Sequence, residues 1–199
     1  SNFSKITLNY NFRQGCSGDT LWELSADQSN FKCGVEPLTD KNLCWTNQKR
    51  KEVISQVQDT LIEPRVIEYE PKGSKDPQQT LKYTYGTPLI ARKSFITDDN
   101  IRVAKNEMWV VINLDPVLLV KCVNDEYLDV KIEVDEDTIL KRFLSGYCIT
   151  IHKAQGETYK NKYTIHEWVR MEQSSVARKL RYTAISRSKN PENNILFRV

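Results

Sequence analysis

The stretch Tyr147-Cys148-Ile149-Thr150-Ile151-His152-Lys153-Ala154-Gln155-Gly156-Glu157-Thr158 decides the fold. Its first half is apolar or β-branched and reads as a strand, with Tyr147, Ile149 and Ile151 on one face and Cys148, Thr150 and His152 on the other. One face is expected to pack and the other to be available. The strand runs into a compact polar loop, Lys153 to Thr158, whose Gly156 permits close approach of the backbone to a ligand. Threonine, histidine, lysine and glutamine all hydrogen-bond a phosphate or a sugar, and Lys153 adds a fixed positive charge. A loop at the end of a strand is where α/β sheets bind ligands. The plainer reading is a core strand followed by an ordinary turn, with His152 a satisfied polar residue.

Downstream, a strand is expected near Tyr163 to Ile165, one or two helices over 167–188, and a last strand at Ile195 to Val199. Upstream, helical character covers Thr138 to Leu144. Between Thr87 and Val134 short β-type runs (Leu89 to Ala91, Trp109 to Ile112, Leu118 to Val120, Leu128 to Ile132) alternate with turn residues, which predicts a small β-rich, barrel-like insertion over 86–135. The polar, Pro- and Gly-bearing segment Glu70 to Thr80 reads as an exposed loop. Earlier still, Asn42 to Trp45 is a short strand, and Thr46-Asn47 caps a helix over about 48–62 with Val53, Ile54, Val57 and Leu61 on one stripe, ended by Pro64. Leu21, Trp22 and Leu24 suggest a short helix. Strand, helix and returning strand are the units of an α/β sheet, built from residues 1–85 and 136–199 around the insertion.

Composition sets the limits. The 199 residues suffice for one main core with a small insertion, and 39% hydrophobic against 28% charged residues suits an ordinary globular chain. No apolar run reaches the roughly 18 residues that span a bilayer, so no membrane partner is expected. The start at Ser1, without a basic-then-apolar leader, reads as the start of a fragment. Cys16, Cys33, Cys44, Cys122 and Cys148 form no C-x-x-C pair and are odd in number, which predicts reduced thiols and no metal site. The net charge of +3 is weak evidence for nucleic acid, but it is uneven: Lys49-Arg50-Lys51 and Arg170 to Lys189 are basic, Asp125 to Asp137 acidic.

The run Ile149 to Thr158 resembles motif V of the PIF- and RecD-type branch of superfamily 1 helicases, with Ala154 standing where serine is common. Tyr182-Thr183-Ala184-Ile185-Ser186-Arg187 resembles motif VI of the same family, in which the arginine reaches the ATP γ-phosphate. Arginine suits that task, being always protonated and presenting a planar fork of donors. Asn11-Phe12-Arg13-Gln14 resembles motif IV, and Leu43 to Asn47 with the basic turn behind it resembles the strand and Thr-Asn pair that contact a single-strand backbone.

The resemblance implies a RecA-like lobe, an α/β fold of the P-loop NTPase type that here lacks the P-loop, and a chain that is the C-terminal motor lobe of a DNA helicase moving 5′ to 3′. It implies catalytic roles for Arg13 and Arg187, nucleotide contacts from Gln14, Gly156, Glu157 and Thr158, and single-stranded DNA contacts from Thr46, Asn47, Thr150, His152, Lys153 and Gln155. ATP is the implied nucleotide, with Mg²⁺ held by an N-terminal RecA-like lobe. That lobe, single strands and duplex junctions are the implied partners. Tyr163 to Met171 also resembles helicases of large DNA viruses and mobile elements, and an intracellular location, nucleus, cytoplasm or viral replication site, is expected. Two alternatives stay open: a degenerate lobe serving as a binding module of a replication complex, and an RNA helicase lobe. Val117 to Glu126 imitates a strand ending in a metal-binding Asp-Glu, but without G-x-x-x-x-G-K-[ST] the pair has no phosphate cradle, and Asp125-Glu126 reads as a hairpin tip. Trp109 and Tyr127 read as core aromatics before base-stacking ones.

Overall fold

The computed structural model describes residues 10–11, 16–17, 39–68, 80–189 and 195–198. Arg13, Gln14, the helix expected around Leu21 to Leu24 and the loop over 70–79 lie outside the described residues.

A four-stranded parallel sheet organises one half. It is built from β3 (Asn42–Cys44), β13 (Cys148–Thr150), β14 (Tyr163–Ile165) and β15 (Ile195–Phe197), in the order β13-β3-β14-β15. All of β3, β13 and β14 is buried, as expected of a parallel sheet covered on both faces. This corrects the expectation of an available strand face: Thr150 is only 9% exposed and Cys148 not at all. One face, through Cys44, Cys148 and Tyr147, packs on Val53, Ile54 and Val57 of α1 (Asn47–Gln58). The other, through Leu43, Ile149, Ile151, Ile165 and Phe197, packs on α3 (Trp168–Glu172) and α4 (Ser175–Ile185). Tyr147 therefore does not share the face of Ile149 and Ile151.

Local chemistry sets the helix ends. Thr46 caps α1 by accepting from the Lys49 amide at 3.2 Å. The helix stops at Gln58, not near 62, because the Thr60 hydroxyl takes the Val57 carbonyl at 2.7 Å and the Gln58 amide group turns to the Lys82 carbonyl at 3.2 Å. In α2 (Glu136–Arg142) Asp135 caps the start, acidic residues fill the first turn and basic ones the last, each matching the helix dipole. It ends two residues short of Leu144 because Phe143–Ser145 becomes a strand, β12.

The β-rich half is an open antiparallel sheet, β11 (Glu126–Glu133), β10 (Val117–Val123), β9 (Met108–Leu114), β6 (Pro88–Ala91) and β12, in that order. Two short ladders accompany it, β4 (Arg65–Ile67) with β5 (Leu81–Tyr83) and β7 (Phe95–Ile96) with β8 (Arg102–Val103). A further antiparallel pair joins β1 (Tyr10–Asn11) to β2 (Cys16–Ser17). Among the described residues the sheets do not close into a barrel. Trp109, Leu89, Val111, Leu119 and Ile132 form the core of this half, each such burial contributing about 1.5–3 kcal/mol. The same cluster takes in Ile67, Leu81 and Tyr83 on one side and Ile139 and Phe143 on the other, beyond the range 86–135. Trp109 is fully buried, whereas Tyr127, expected in a core, is 66% exposed.

The halves meet at Gly146. A Cβ there would lie 2.9 Å from the Met108 sulfur and 3.0 Å from the Pro88 carbonyl, while the Gly146 amide donates to the Pro88 carbonyl at 2.7 Å. Deeper in the sheet, His166 is 1% exposed and its Nε2 lies 3.0 Å from Asn42 Oδ1. Burial, with Arg198 and Lys49 adding to it, lowers its pKa to about 4. An unfolded histidine has the ordinary value near 6.5. The unfolded chain therefore binds the extra proton between these values, so the contribution is intact above about pH 6.5 and is lost as pH falls towards 4. Denaturant titrations at pH 7.5 and 4.5 should show wild type losing more stability on acidification than His166→Gln, by at most about 1.4 kcal/mol per pH unit across that window.

Candidate functional site

The polar loop after β13 turns tightly. The Thr150 carbonyl accepts from the Lys153 and Ala154 amides at 2.9 and 3.1 Å, and Ala154, fully buried, plugs the core. With Ala154 as anchor, His152, Lys153, Gln155 and Gly156 are left exposed. Gly156 has φ 95°, and nothing lies within 4 Å of where its Cβ would stand, so the residue is required by the left-handed backbone and not by crowding. Glu157 is half-buried. Burial pushes its carboxyl up from the ordinary range, Asp125 pushing the same way against Lys41 and Arg187. Thr158 is buried, and its amide donates to Asn124 Oδ1 at 2.9 Å.

Arg187 joins this loop to the second motif. It follows the C-terminal end of α4 and is 8% exposed. Its Nη1 donates to the carbonyls of Glu157 at 3.1 Å and Ala154 at 3.4 Å, its Nε to the Thr183 carbonyl at 3.0 Å, and its Nη2 to the Ser186 hydroxyl at 2.9 Å. The guanidinium fork is thus turned onto the loop. The Tyr159 amide reinforces the link by donating to the Arg187 carbonyl at 2.7 Å.

Thr46 and Asn47 sit at the start of α1. Asn47 is exposed, but the Thr46 hydroxyl is engaged, donating to Glu167 Oε1 at 2.9 Å besides capping Lys49. Glu167 is 5% exposed, and its Oε2 also accepts from the Trp45 and Thr46 amides at 3.0 and 2.8 Å. Arg170 pairs with it at 3.0 Å and lies over the Trp45 ring. This anchor was not read from the sequence; a carboxylate directly after a buried strand, in Ile165-His166-Glu167-Trp168, was its one visible sign. Within the basic stretch 170–189, Arg170, Lys179 and Lys189 are exposed but Arg181 and Arg187 are not. Arg181 is 1% exposed, its guanidinium 3.9 Å from the centre of the Trp168 ring and 3.5 Å from Glu172, and Arg187 is buried as described.

The structure brings Thr150, His152, Lys153, Gln155, Gly156, Glu157, Thr158 and Arg187 together, and α1 brings Thr46 and Asn47 to the adjacent strand β3. A cleft of about 710 Å³ opens elsewhere, on the β-rich half, lined by Asp98, Asp99, Asp115, Glu133, Asp135 and Glu136 with Arg65 and Arg142. Among the described residues no cluster of three His, Cys, Asp or Glu is placed to hold a metal, and no helix is long and apolar enough to cross a membrane.

No family model matches the chain, and no curated protein does. Solved structures do. A structure of two coordinating Pif1 helicases at forked double-stranded DNA superposes with a TM-score of 0.56 at 17% identity, over 94% of this chain and 44% of that one. The fold is shared with Pif1 helicases. The Candida albicans Pif1 helicase gives a TM-score of 0.52 at 16% identity, over 93% of this chain and 50% of that one, and Bacteroides Pif1 bound to single-stranded DNA gives 0.51 at 18%, over 93% and 46%. The chain spans about half the length of these Pif1 structures. The mixed α/β, RecA-like architecture expected from the sequence is therefore present, and at this identity the likeness concerns the fold.

Within this Pif1-like fold the Glu167 anchor has a measurable consequence. Glu167→Ala strands the Trp45 and Thr46 amides and the Thr46 hydroxyl, and is expected to lower the unfolding free energy by about 2–4 kcal/mol. Glu167→Gln, which keeps an acceptor in place, should lose less; chemical denaturation of the three proteins measures the order.

Proposed function

We propose that the chain is the second RecA-like lobe of an ATP-dependent DNA helicase of superfamily 1, with the β-rich unit inserted into it. One observation carries this reading: Arg187, from the run that resembles motif VI, bonds the carbonyls of Ala154 and Glu157 in the loop that resembles motif V. The residue read as the γ-phosphate sensor and the loop read as the strand grip are in direct contact.

The chemistry follows from that contact. ATP would be bound at the face between this lobe and an N-terminal RecA-like lobe that supplies the P-loop and holds Mg²⁺. Arg187 would exchange its carbonyl acceptors for γ-phosphate oxygens, a charge-assisted exchange that favours the phosphate, with Arg13 as second sensor and Gln14, Gly156, Glu157 and Thr158 at the nucleotide edge. Release of the Ala154 and Glu157 carbonyls would let the loop shift, and with it the exposed His152, Lys153 and Gln155, which would meet a sugar-phosphate backbone. Asn47 lies on the neighbouring element for the same strand. Thr46 and Thr150 are assigned supporting places, Thr46 because its hydroxyl is held by Glu167 and Thr150 because it is buried. Repeated exchange would ratchet single-stranded DNA, 5′ to 3′ by the resemblance, and unwind duplex junctions inside the cell. Support from outside the chain is the shared fold with a Pif1 bound to single-stranded DNA and with Pif1 helicases at forked duplex.

In the full-length protein, Arg187→Ala should lower DNA-stimulated ATP turnover about 10³-fold or more while leaving single-strand binding within a fewfold. Lys153→Ala should weaken single-strand binding and reduce the slope of log affinity against log salt by about one, with competition by RNA deciding the preferred strand. Residues 1–199 by themselves should hydrolyse no ATP, since half the site lies elsewhere; robust hydrolysis by that segment, or a full-length protein without a P-loop, overturns the reading in favour of another enzyme or a binding module.

A further inference from the structure

Asn124 and Asp125 form the two-residue tip of the β10–β11 hairpin, both in the left-handed region at φ 52° and 65°. Such a turn asks only for residues that tolerate positive φ, and glycine would serve. The side chains do much more. Asn124 Oδ1 accepts from the Thr158 amide at 2.9 Å. One oxygen of Asp125 accepts from the amides of Lys160 at 2.8 Å and Asn161 at 3.2 Å, and the other pairs with the Lys41 ammonium. Glu126 pairs with the Lys160 ammonium. The Asp125 side chain is 4% exposed, an unusual burial for the tip of a hairpin. Lys41, at the entrance to β3, also lies 4.5 Å from the centre of the Tyr159 ring.

We propose that Asn124 and Asp125 are positioning residues, a clasp through which the β-rich unit fixes the polar loop of the parallel sheet. The role rests on the motor reading above. Two side-chain ties reach the loop's main chain from distant elements. Arg187 holds the carbonyls of Ala154 and Glu157, and the hairpin tip holds the amides of Thr158, Lys160 and Asn161. If Arg187 turns to a phosphate, the first tie opens, and the tip, together with the main-chain bond from the Tyr159 amide to the Arg187 carbonyl, remains as the fixed point about which residues 152–157 move. A loop without that fixed point still binds ATP, but the release of Arg187 no longer moves His152, Lys153 and Gln155 as a unit. Asp125 acts through the loop and touches neither nucleotide nor strand. A residue in the insertion thereby governs how well hydrolysis couples to the strand.

The test uses the full-length protein with Asp125→Gly and Asn124→Gly, which keep the turn's backbone, and Asp125→Asn, which keeps an acceptor oxygen and loses the charge. Hydrogen exchange should accelerate about tenfold or more at the amides of residues 160 and 161 in Asp125→Gly and at the amide of residue 158 in Asn124→Gly, with the amides of β9, β10 and β11 unchanged; equal exchange in wild type and variants overturns the clasp. Single-strand-stimulated turnover should fall about five- to tenfold, with the half-saturating ATP concentration within twofold and Asp125→Asn intermediate. A general loss of fold would instead raise exchange throughout the hairpin, and it overturns the assignment of a positioning role. An active wild type with an equally active Asp125→Gly also overturns the clasp while leaving the motor reading intact. A wild type with no strand-stimulated hydrolysis overturns the motor reading and the clasp's role with it, and the exchange data then report the contact alone.

Discussion

The pairing of β3 between β13 and β14 constrains everything else in the described structure. Asn42–Cys44 lies beside Cys148–Thr150 in parallel register, more than a hundred residues further along the chain. Parallel neighbours cannot be joined by a tight turn, so the intervening chain must leave the sheet and return to its own starting edge. The β-rich half is that excursion. Its last strand, β12, pairs with β6 and hands the chain directly to β13 through Gly146, where there is no room for a side chain. The sheet and the insertion are thus stitched together by geometry at that point as well as by the Asp125 contacts.

The same pairing explains where the polar chemistry gathers. At the carboxyl end of a parallel sheet several loops open on one edge. Here these are the loop from Ile151 to Thr158, the Trp45 to Asn47 turn and the turn at Glu167. Each is held by a group buried close to it. Ala154 plugs the core, Glu167 binds the turn before α1, and Arg187 bonds the loop's carbonyls. Buried charges cost free energy unless paired and hydrogen-bonded. Glu167 is paired with Arg170 and accepts three further hydrogen bonds, and Arg187 donates four to carbonyl and hydroxyl oxygens, which fixes the geometry of both.

Much of the fold was legible in the sequence because its signals are local. Strands β3, β13 and β14 announce themselves as short β-branched or apolar runs, and α1 by a threonine cap and an apolar stripe. The β runs between residues 87 and 134 stood out by alternation and turn residues. The ends of elements were less legible. Whether α1 stops at Gln58 depends on a carbonyl contributed by Lys82, and whether Leu144 is helical depends on a partner strand at Leu89 to Ala91. Burial of Thr150, and of Arg181 against Trp168, was invisible for the same reason, since neither residue is apolar.

The sequence by itself determined the element types, the division into a parallel and a β-rich half, and the two runs, Ile149 to Thr158 and Tyr182 to Arg187, that carry the functional reading. These rest on periodicity, capping and residue chemistry over a few positions, which need no knowledge of distant neighbours. Only the tertiary structure decided that Arg187 bonds the first run from the second, that Glu167 holds Thr46, and that Asp125 is buried against Lys41, Lys160 and Asn161. Each of those contacts joins residues some thirty to more than a hundred and twenty positions apart, and the energy of a charged hydrogen bond depends on where the fold has excluded water, a property no single segment possesses.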